Sequence, residues 1–215
     1  MYRASSLVTE ALYRRVIGEH MARMGELRDG STIYVTDLVA CSHKYHMRRK
    51  YPELTIGFEP SMVLGELLHK GLEEVLKGEG YEVEKSVEVP VEIDGARYIV
   101  KGRVDAYNPG TRTVVEIKSS RTSRGIPKPH HVEQLNIYLN IMDVESGILV
   151  YVTSDKIVEY VIPRERVDVT GLVRNTLGNL VHPRYEWECE YCVFRRLCPY
   201  AREEGEKLYT DTGRK

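Results

Sequence analysis

What this sequence lacks narrows its function first. No stretch approaches eighteen consecutive apolar residues, so no membrane-spanning helix is expected. The opening MYRASSLVTE has none of the apolar run of a signal peptide, so the chain is expected to stay in the cytoplasm. No G-x-x-x-x-G-K-[ST] phosphate loop occurs, so the chain is not by itself an ATP-driven motor. Neither sign of charge dominates: the formal net charge is −1, and any nucleic acid must be met by local basic patches. Glutamine occurs once, at Gln134, while charged residues make up 29 %, a balance that points to a thermophilic source. Internal repeats and low-complexity tracts are absent too.

What is present suits a folded domain. The 215 residues fit one domain with a small appended lobe, and a 42 % hydrophobic fraction supplies a core. Val8, Leu12 and Val16 recur at helical spacing, predicting a helix over about 6–24. Thr36 is a plausible N-cap for a second helix running through Cys41 to about Arg49, with Pro52 just beyond. A third helix is expected from Ser61 to Lys77, stopped at Gly78. Residues 81–93, 97–107 and 112–118 are rich in Val, Ile and Tyr and are parted by Asp94-Gly95 and Asn108-Pro109-Gly110, which predicts three strands joined by hairpins. A helix from about Pro129 to Met142, strands at 147–153 and 157–162, and a last helix over 165–180 complete the pattern, and the polar end from Ala201 is expected to fray. Helices, a β-meander, a helix, strands and a helix argue for an α/β fold: a mixed central sheet flanked by helices.

The segment VVEIKSS carries the chemistry. In a strand, Glu116 and Lys118 share one face and Val115 and Ile117 the other. One strand earlier lies Asp105, and paired strands let Asp105 and Glu116 converge on one cation. Carboxylate oxygens suit Mg²⁺ or Mn²⁺, and such an ion with a lysine beside it is what phosphodiester hydrolysis needs. Alone, E-x-K more often marks a solvated strand face. Gly65, His69 and Glu73 fall on one face of the third helix, where His69 is either a further imidazole ligand or an ordinary histidine. Gln134 and Tyr138 are an i, i+4 pair able to bond a phosphate or a base, or simply part of an amphipathic helix.

The four elements run in a set order: G-x-x-x-H at 65–69, G-x-x-D at 102–105, E-x-K at 116–118 and Q-x-x-x-Y at 134–138. This resembles the RecB-like branch of the PD-(D/E)xK nuclease superfamily. The resemblance implies a mixed sheet with helices on both sides, His69, Asp105 and Glu116 as ligands of Mn²⁺ or Mg²⁺, and Lys118 as a catalytic group. It also implies that Gln134 and Tyr138 help hold DNA.

Cys41 stands alone upstream, whereas Cys189, Cys192 and Cys198 form C-x2-C-x5-C. Four thiolates complete either a Cys₄ zinc site or an iron–sulfur cluster, but the spacing is not that of a zinc ribbon. One cysteine before the nuclease motifs and three after them resembles the iron–sulfur nucleases, and the short chain resembles the CRISPR-associated RecB-like exonucleases among them. Ser42 stands where many relatives have proline, a departure that touches no ligand. The resemblance implies a [4Fe–4S] cluster, though four cysteines equally hold [2Fe–2S], in a lobe of residues 36–50 with 183–200. It further implies exonuclease action on single-stranded DNA ends, in preparing CRISPR spacers beside integrase proteins. A DNA-repair exonuclease of the same branch, or a non-catalytic DNA-binding scaffold with a structural metal, would carry many of the same signals. Two basic patches stand out: Lys44, Arg48, Arg49 and Lys50, and a loop with Arg121, Arg124, Lys128, His130 and His131, the latter placed to contact phosphates.

Overall fold

A computed structural model describes residues 4–202 of the chain. The expectation for the polar end beyond Arg202 lies outside the described residues. Helix α1 spans Leu7–Arg28, strand β1 Thr32–Tyr34, and helices α2 and α3 Val35–Leu38 and Ser42–Lys50. A 3-10 turn at Pro52–Thr55 leads to α4, Pro60–Gly78. Strands β2 (Glu82–Ile93), β3 (Ala96–Asn108) and β4 (Thr113–Ser119) form the expected meander, followed by α5 (Pro129–Ile141), β5 (Ser146–Val152), β6 (Ile157–Pro163) and α6 (Val169–Leu177). One mixed sheet orders the strands β1-β3-β4-β5-β6, with β2 also paired to β3. β1 runs parallel to β3 and β5 parallel to β4; the other pairs are antiparallel. No helix among the described residues is long and apolar enough to cross a membrane.

Strand β4 is buried on both faces, as a central strand must be. Val115 and Ile117 join Ala106 and Val150 under Leu68, Leu72 and Leu76 of α4. On the other side Val114 and Leu149 pack with Leu135 and Leu139 of α5. The sheet is therefore held between α4 and α5, the two helices that carry the motif residues outside the strands.

Two expected helices differ. The second does not run through Cys41: α2 stops at Leu38 and α3 starts at Ser42. The donors a continuous helix would use go elsewhere, Cys41 N–H to Glu188 Oε1 (2.8 Å) and Ser42 N–H to the Val181 carbonyl (2.7 Å). Nor is Thr36 the N-cap; that position is Tyr34, whose N–H donates to Asp37 Oδ2 at 3.0 Å. The last helix is shorter than expected because Asn136 and Asn140 of α5 hold the preceding segment extended. Glu165 N–H donates to Asn136 Oδ1 at 2.7 Å and Asn140 Nδ2 to the Glu165 carbonyl at 2.7 Å. α6 then opens on Asp168, which accepts from Gly171 N–H, and ends at Gly178. β1 was not expected: three residues carry no periodicity, and its partner β3 is far away in sequence.

Candidate active site

Strands β3 and β4 pair at Asn108–Thr113, Tyr107–Val114 and Ala106–Val115, and the ladder stops there. The next position on β3 is Asp105. Its Oδ2 accepts the Ile117 N–H at 2.6 Å, so a side chain takes over a donor of β4 where the strands part. Glu116 and Lys118 continue on β4, which stays paired to β5 through Ser119. The parting strands open a cleft of about 630 Å³ whose lining includes His69, Asp105, Glu116, Lys118, Gln134 and Tyr138. Its continuation past Asp105 is lined by Glu73, Glu84 and Ser119. His20 of α1 lines both parts, and an Arg15–Glu66 ion pair at 2.5 Å ties that helix to α4.

Glu116 is 3 % exposed. Its Oε1 accepts from Lys118 Nζ at 2.6 Å and from Gln134 Nε2 at 2.8 Å. Gln134 Oε1 in turn accepts from Lys118 Nζ at 3.0 Å, closing a three-membered ring of bonds. The other oxygen, Glu116 Oε2, is buried with no hydrogen-bond partner. An unpaired buried carboxylate oxygen is costly. Burial first, and the Asp105 charge after the opposing pull of Lys118, push the Glu116 carboxyl up to about 7.

His69 Nδ1 lies 3.5 Å from Asp105 Oδ1. That contact with Asp105 raises the imidazole's pKa, against its burial. Glu73, one turn along α4, is the residue sequence reasoning did not assign. It is 8 % exposed and makes no hydrogen bond or ion pair among the described residues. Ligand atoms of His69, Glu73 and Asp105 all lie within 4.8 Å of one another. Burial, then the charges of Glu84 and Asp105, raise its pKa. The signal was in the sequence: Glu73 follows His69 at i, i+4, on the face turned to the carboxylates. Glu116 is not in the group of His69, Glu73 and Asp105, but its unpartnered buried oxygen lines the same cleft; carboxylate and imidazole donors of this kind fit a hard divalent cation such as Mn²⁺ or Mg²⁺.

The motif glycines are explained by close approach. A Cβ on Gly65 would stand 2.9 Å from Ser119 Oγ, so α4 crosses close to the end of β4 and an added methyl would turn that hydroxyl aside. A Cβ on Gly102 would stand 2.5 Å from Tyr138 Cε1 and 2.9 Å from Val35. Tyr138 is 2 % exposed, and Gln134 is 7 % exposed with both amide atoms bonded, one to Lys118 and one to Glu116. Gly102→Ala must push the Tyr138 ring, and with it this face of α5. We expect a loss of about 1–3 kcal/mol, checked by thermal unfolding, with cleavage falling more than stability explains.

Lys44, Arg48, Arg49 and Lys50 are mostly committed within the protein. Arg48 pairs with buried Asp37 at 2.5 Å, Arg49 donates to the Thr32 carbonyl and lies over Tyr45, and Lys50 lies over Tyr51. Arg121 and Arg124 are exposed, and their guanidinium groups bond nothing among the described residues. Lys128 caps α5, and its N–H donates to Tyr151 Oη at 2.9 Å.

All four cysteines are free and line one small cavity with Met47 and Phe194. Burial pushes the Cys41 thiol up to about 11, and nearby Cys198 adds to this. Glu188 holds the pieces together: Oε1 accepts from Cys41 N–H, and Oε2 from the N–H groups of Arg184 and Tyr185 at 2.7 and 2.9 Å. Nothing in the sequence marked this residue.

Residues 58–161 match the family model described as PD-(D/E)XK nuclease superfamily. The chain is 42 % identical over 202 residues to CRISPR-associated exonuclease Cas4 of Saccharolobus solfataricus, covering 90 % of this chain and 98 % of that protein. It superposes on the crystal structure of SSO0001 with a TM-score of 0.87 and 38 % identity, covering 94 % of this chain and 100 % of the other.

Proposed function

From the premise that this chain belongs to the PD-(D/E)XK nuclease superfamily, as a homologue of CRISPR-associated exonuclease Cas4, we propose that it is a Mn²⁺- or Mg²⁺-dependent exonuclease acting on single-stranded DNA ends. The observation that carries this is the unpartnered, buried Oε2 of Glu116 in a cleft shared with Asp105, His69 and Lys118. Glu116, Asp105 and His69, joined by Glu73, are the residues that would hold the cation. Bound there, a divalent ion offsets charge on the phosphate and acidifies the attacking water.

The chain's own groups do the rest. Lys118 keeps its ammonium fixed between Glu116 and Gln134. From there it orients the nucleophile and stabilises charge growing on the phosphate. Gln134 positions Lys118 and Glu116, and Tyr138, wedged against Gly102, positions Gln134's helix. Both therefore support DNA binding from behind the catalytic groups. Arg121 and Arg124 meet the phosphates of the strand. The four cysteines hold an iron–sulfur cluster, [4Fe–4S] in preference to [2Fe–2S], that fastens residues 36–50 to 183–200. The CRISPR association of the relative supports a role in spacer acquisition beside integrase proteins.

The test is purified protein with labelled single- and double-stranded DNA, with and without Mn²⁺. Cation-dependent shortening of single strands from their ends is expected. A protein that binds DNA but cuts neither form with Mn²⁺ would instead be the non-catalytic scaffold. Reversing charge at Arg121 and Arg124 should raise the Kd for single-stranded DNA. It should also lower the salt slope by about one for each phosphate that is no longer neutralised; an unchanged slope removes the two arginines from the interface.

A further inference from the structure

Trp187 is the chain's single tryptophan, and it is 43 % exposed. It lies in a 3-10 turn, Glu186–Cys189, that leads into the cysteine site. Its ring stacks 5.9 Å from Tyr185 with the planes 13° apart, and stands 5.1 Å from His130 at the start of α5. His130 is 4.2 Å from His131, whose Nδ1 shares a 2.8 Å hydrogen bond with the hydroxyl of fully buried Tyr151. A series of rings thus runs from the core outward and ends on an indole left open. Fastening the 183–200 segment to α5 accounts for Tyr185 and for the Arg184–Glu133 ion pair. It does not account for the open tryptophan, whose large apolar surface gains most when covered.

The position of this series is informative. His130, Gln134 and Tyr138 recur every four residues on α5, so they share a face. Gln134 touches Glu116 and Lys118. His130 therefore stands one helical turn, about 6 Å, along the helix from Gln134, the residue that touches this pair. The cations lie at the α5 end of the series: besides burial, the charges of Lys128 and Lys118 lower the pKa of His130 to about 4, while Glu186 and Glu188 flank Trp187 in the chain. His131 is lowered likewise, to about 2, by burial first and then by Lys118, His130 and Lys128. The rings are thus neutral, flanked by lysines and by the loop that bears Arg121 and Arg124. Neutral aromatic faces beside cations are the parts of a single-stranded nucleic-acid site.

We propose that Trp187, backed by Tyr185 and His130, is the stacking platform for an unpaired base of single-stranded DNA that leaves the cleft past the start of α5. This rests on the nuclease reading above and adds to it a contact for the base. A base inside a duplex has both faces covered by its neighbours and cannot use the platform, so Trp187 favours single strands and frayed ends.

The lone tryptophan makes the test direct. In chelator, where nothing is cut, the unaltered protein is titrated with a short oligothymidylate and with an abasic phosphodiester of equal length, following tryptophan fluorescence and binding by anisotropy. The oligothymidylate should quench the fluorescence and the abasic strand should not. Trp187→Ala should weaken oligothymidylate binding about tenfold and leave abasic binding unchanged. Trp187→Phe, which keeps a ring, should stay within about threefold of the original. Fluorescence unmoved by oligothymidylate that is bound, or equal weakening on both strands in Trp187→Ala, overturns the platform and leaves the indole to a protein partner. Failure of the unaltered protein to bind either strand sinks the nuclease reading itself, a distinguishable result.

Discussion

Replacing Asp105 or Glu116 by alanine is expected to lower the rate of Mn²⁺-dependent DNA cleavage by roughly 10³-fold or more, equivalent to about 4 kcal/mol of barrier. Each residue does two things at once. Asp105 offers Oδ1 to the cleft and with Oδ2 holds the Ile117 N–H, so its loss removes a proposed cation ligand and frees the strand beside Glu116. Glu116 offers an unpartnered oxygen and with the other fixes Lys118 and Gln134. Because these groups act as a unit, the double variant should be little worse than either single one. Glu73→Gln keeps the size of the side chain and leaves Asp105 and Glu116 in place. It should weaken Mn²⁺ binding about tenfold by titration calorimetry and lower cleavage less than the alanine variants do. Cleavage that survives in both alanine variants would show that the cleft is not where DNA is cut.

Cys41→Ser is expected to bleach the visible absorbance of the anaerobically purified protein and to lower its unfolding temperature by about 10 °C. That fall corresponds to about 4 kcal/mol in a chain of this length. Cys41 sits at the break between α2 and α3, and the other three cysteines sit in the C-terminal segment. On the proposed reading a group bridging them adds to the bonds that join these distant pieces of chain, and binding energy of that kind is folding energy. Glu188 and the Ser42–Val181 bond hold the same junction without the cysteines, so the variant should still fold, less stably. Iron and sulfide analysis decides the identity of the group. A colourless anaerobic preparation with stoichiometric zinc would replace the cluster with a zinc site, and an unchanged unfolding temperature would deny the bridge altogether.

The meander, α4, α5 and the two later strands were legible within a few residues, because apolar residues recur at the periods of helix and strand and Asp94-Gly95 and Asn108-Pro109-Gly110 mark the turns. Four short motifs in fixed order pointed to the chemistry. The misreadings share a cause. Whether helix continues through Cys41, and whether residues 165–168 join α6, depends on Glu188, Val181, Asn136 and Asn140, partners far away in the chain. Local propensity carries no trace of such bonds. Glu73 was visible as a position on a helix face but not as a neighbour of Asp105, since spacing gives direction and not distance.

By itself the sequence determined which elements present the motif side chains and which of those side chains share a face: a carboxylate and an ammonium two residues apart on a strand do so whatever surrounds them. Tertiary structure alone decided where the β3–β4 ladder ends. That ending puts Asp105 in place of a backbone partner and leaves one oxygen of Glu116 buried and unsatisfied, while the packing of α4 brings Glu73 to Asp105. The reason is physical. Alternation along a strand is fixed by the geometry of one residue, whereas desolvation and unmet hydrogen bonds exist only once other parts of the chain have closed over the site.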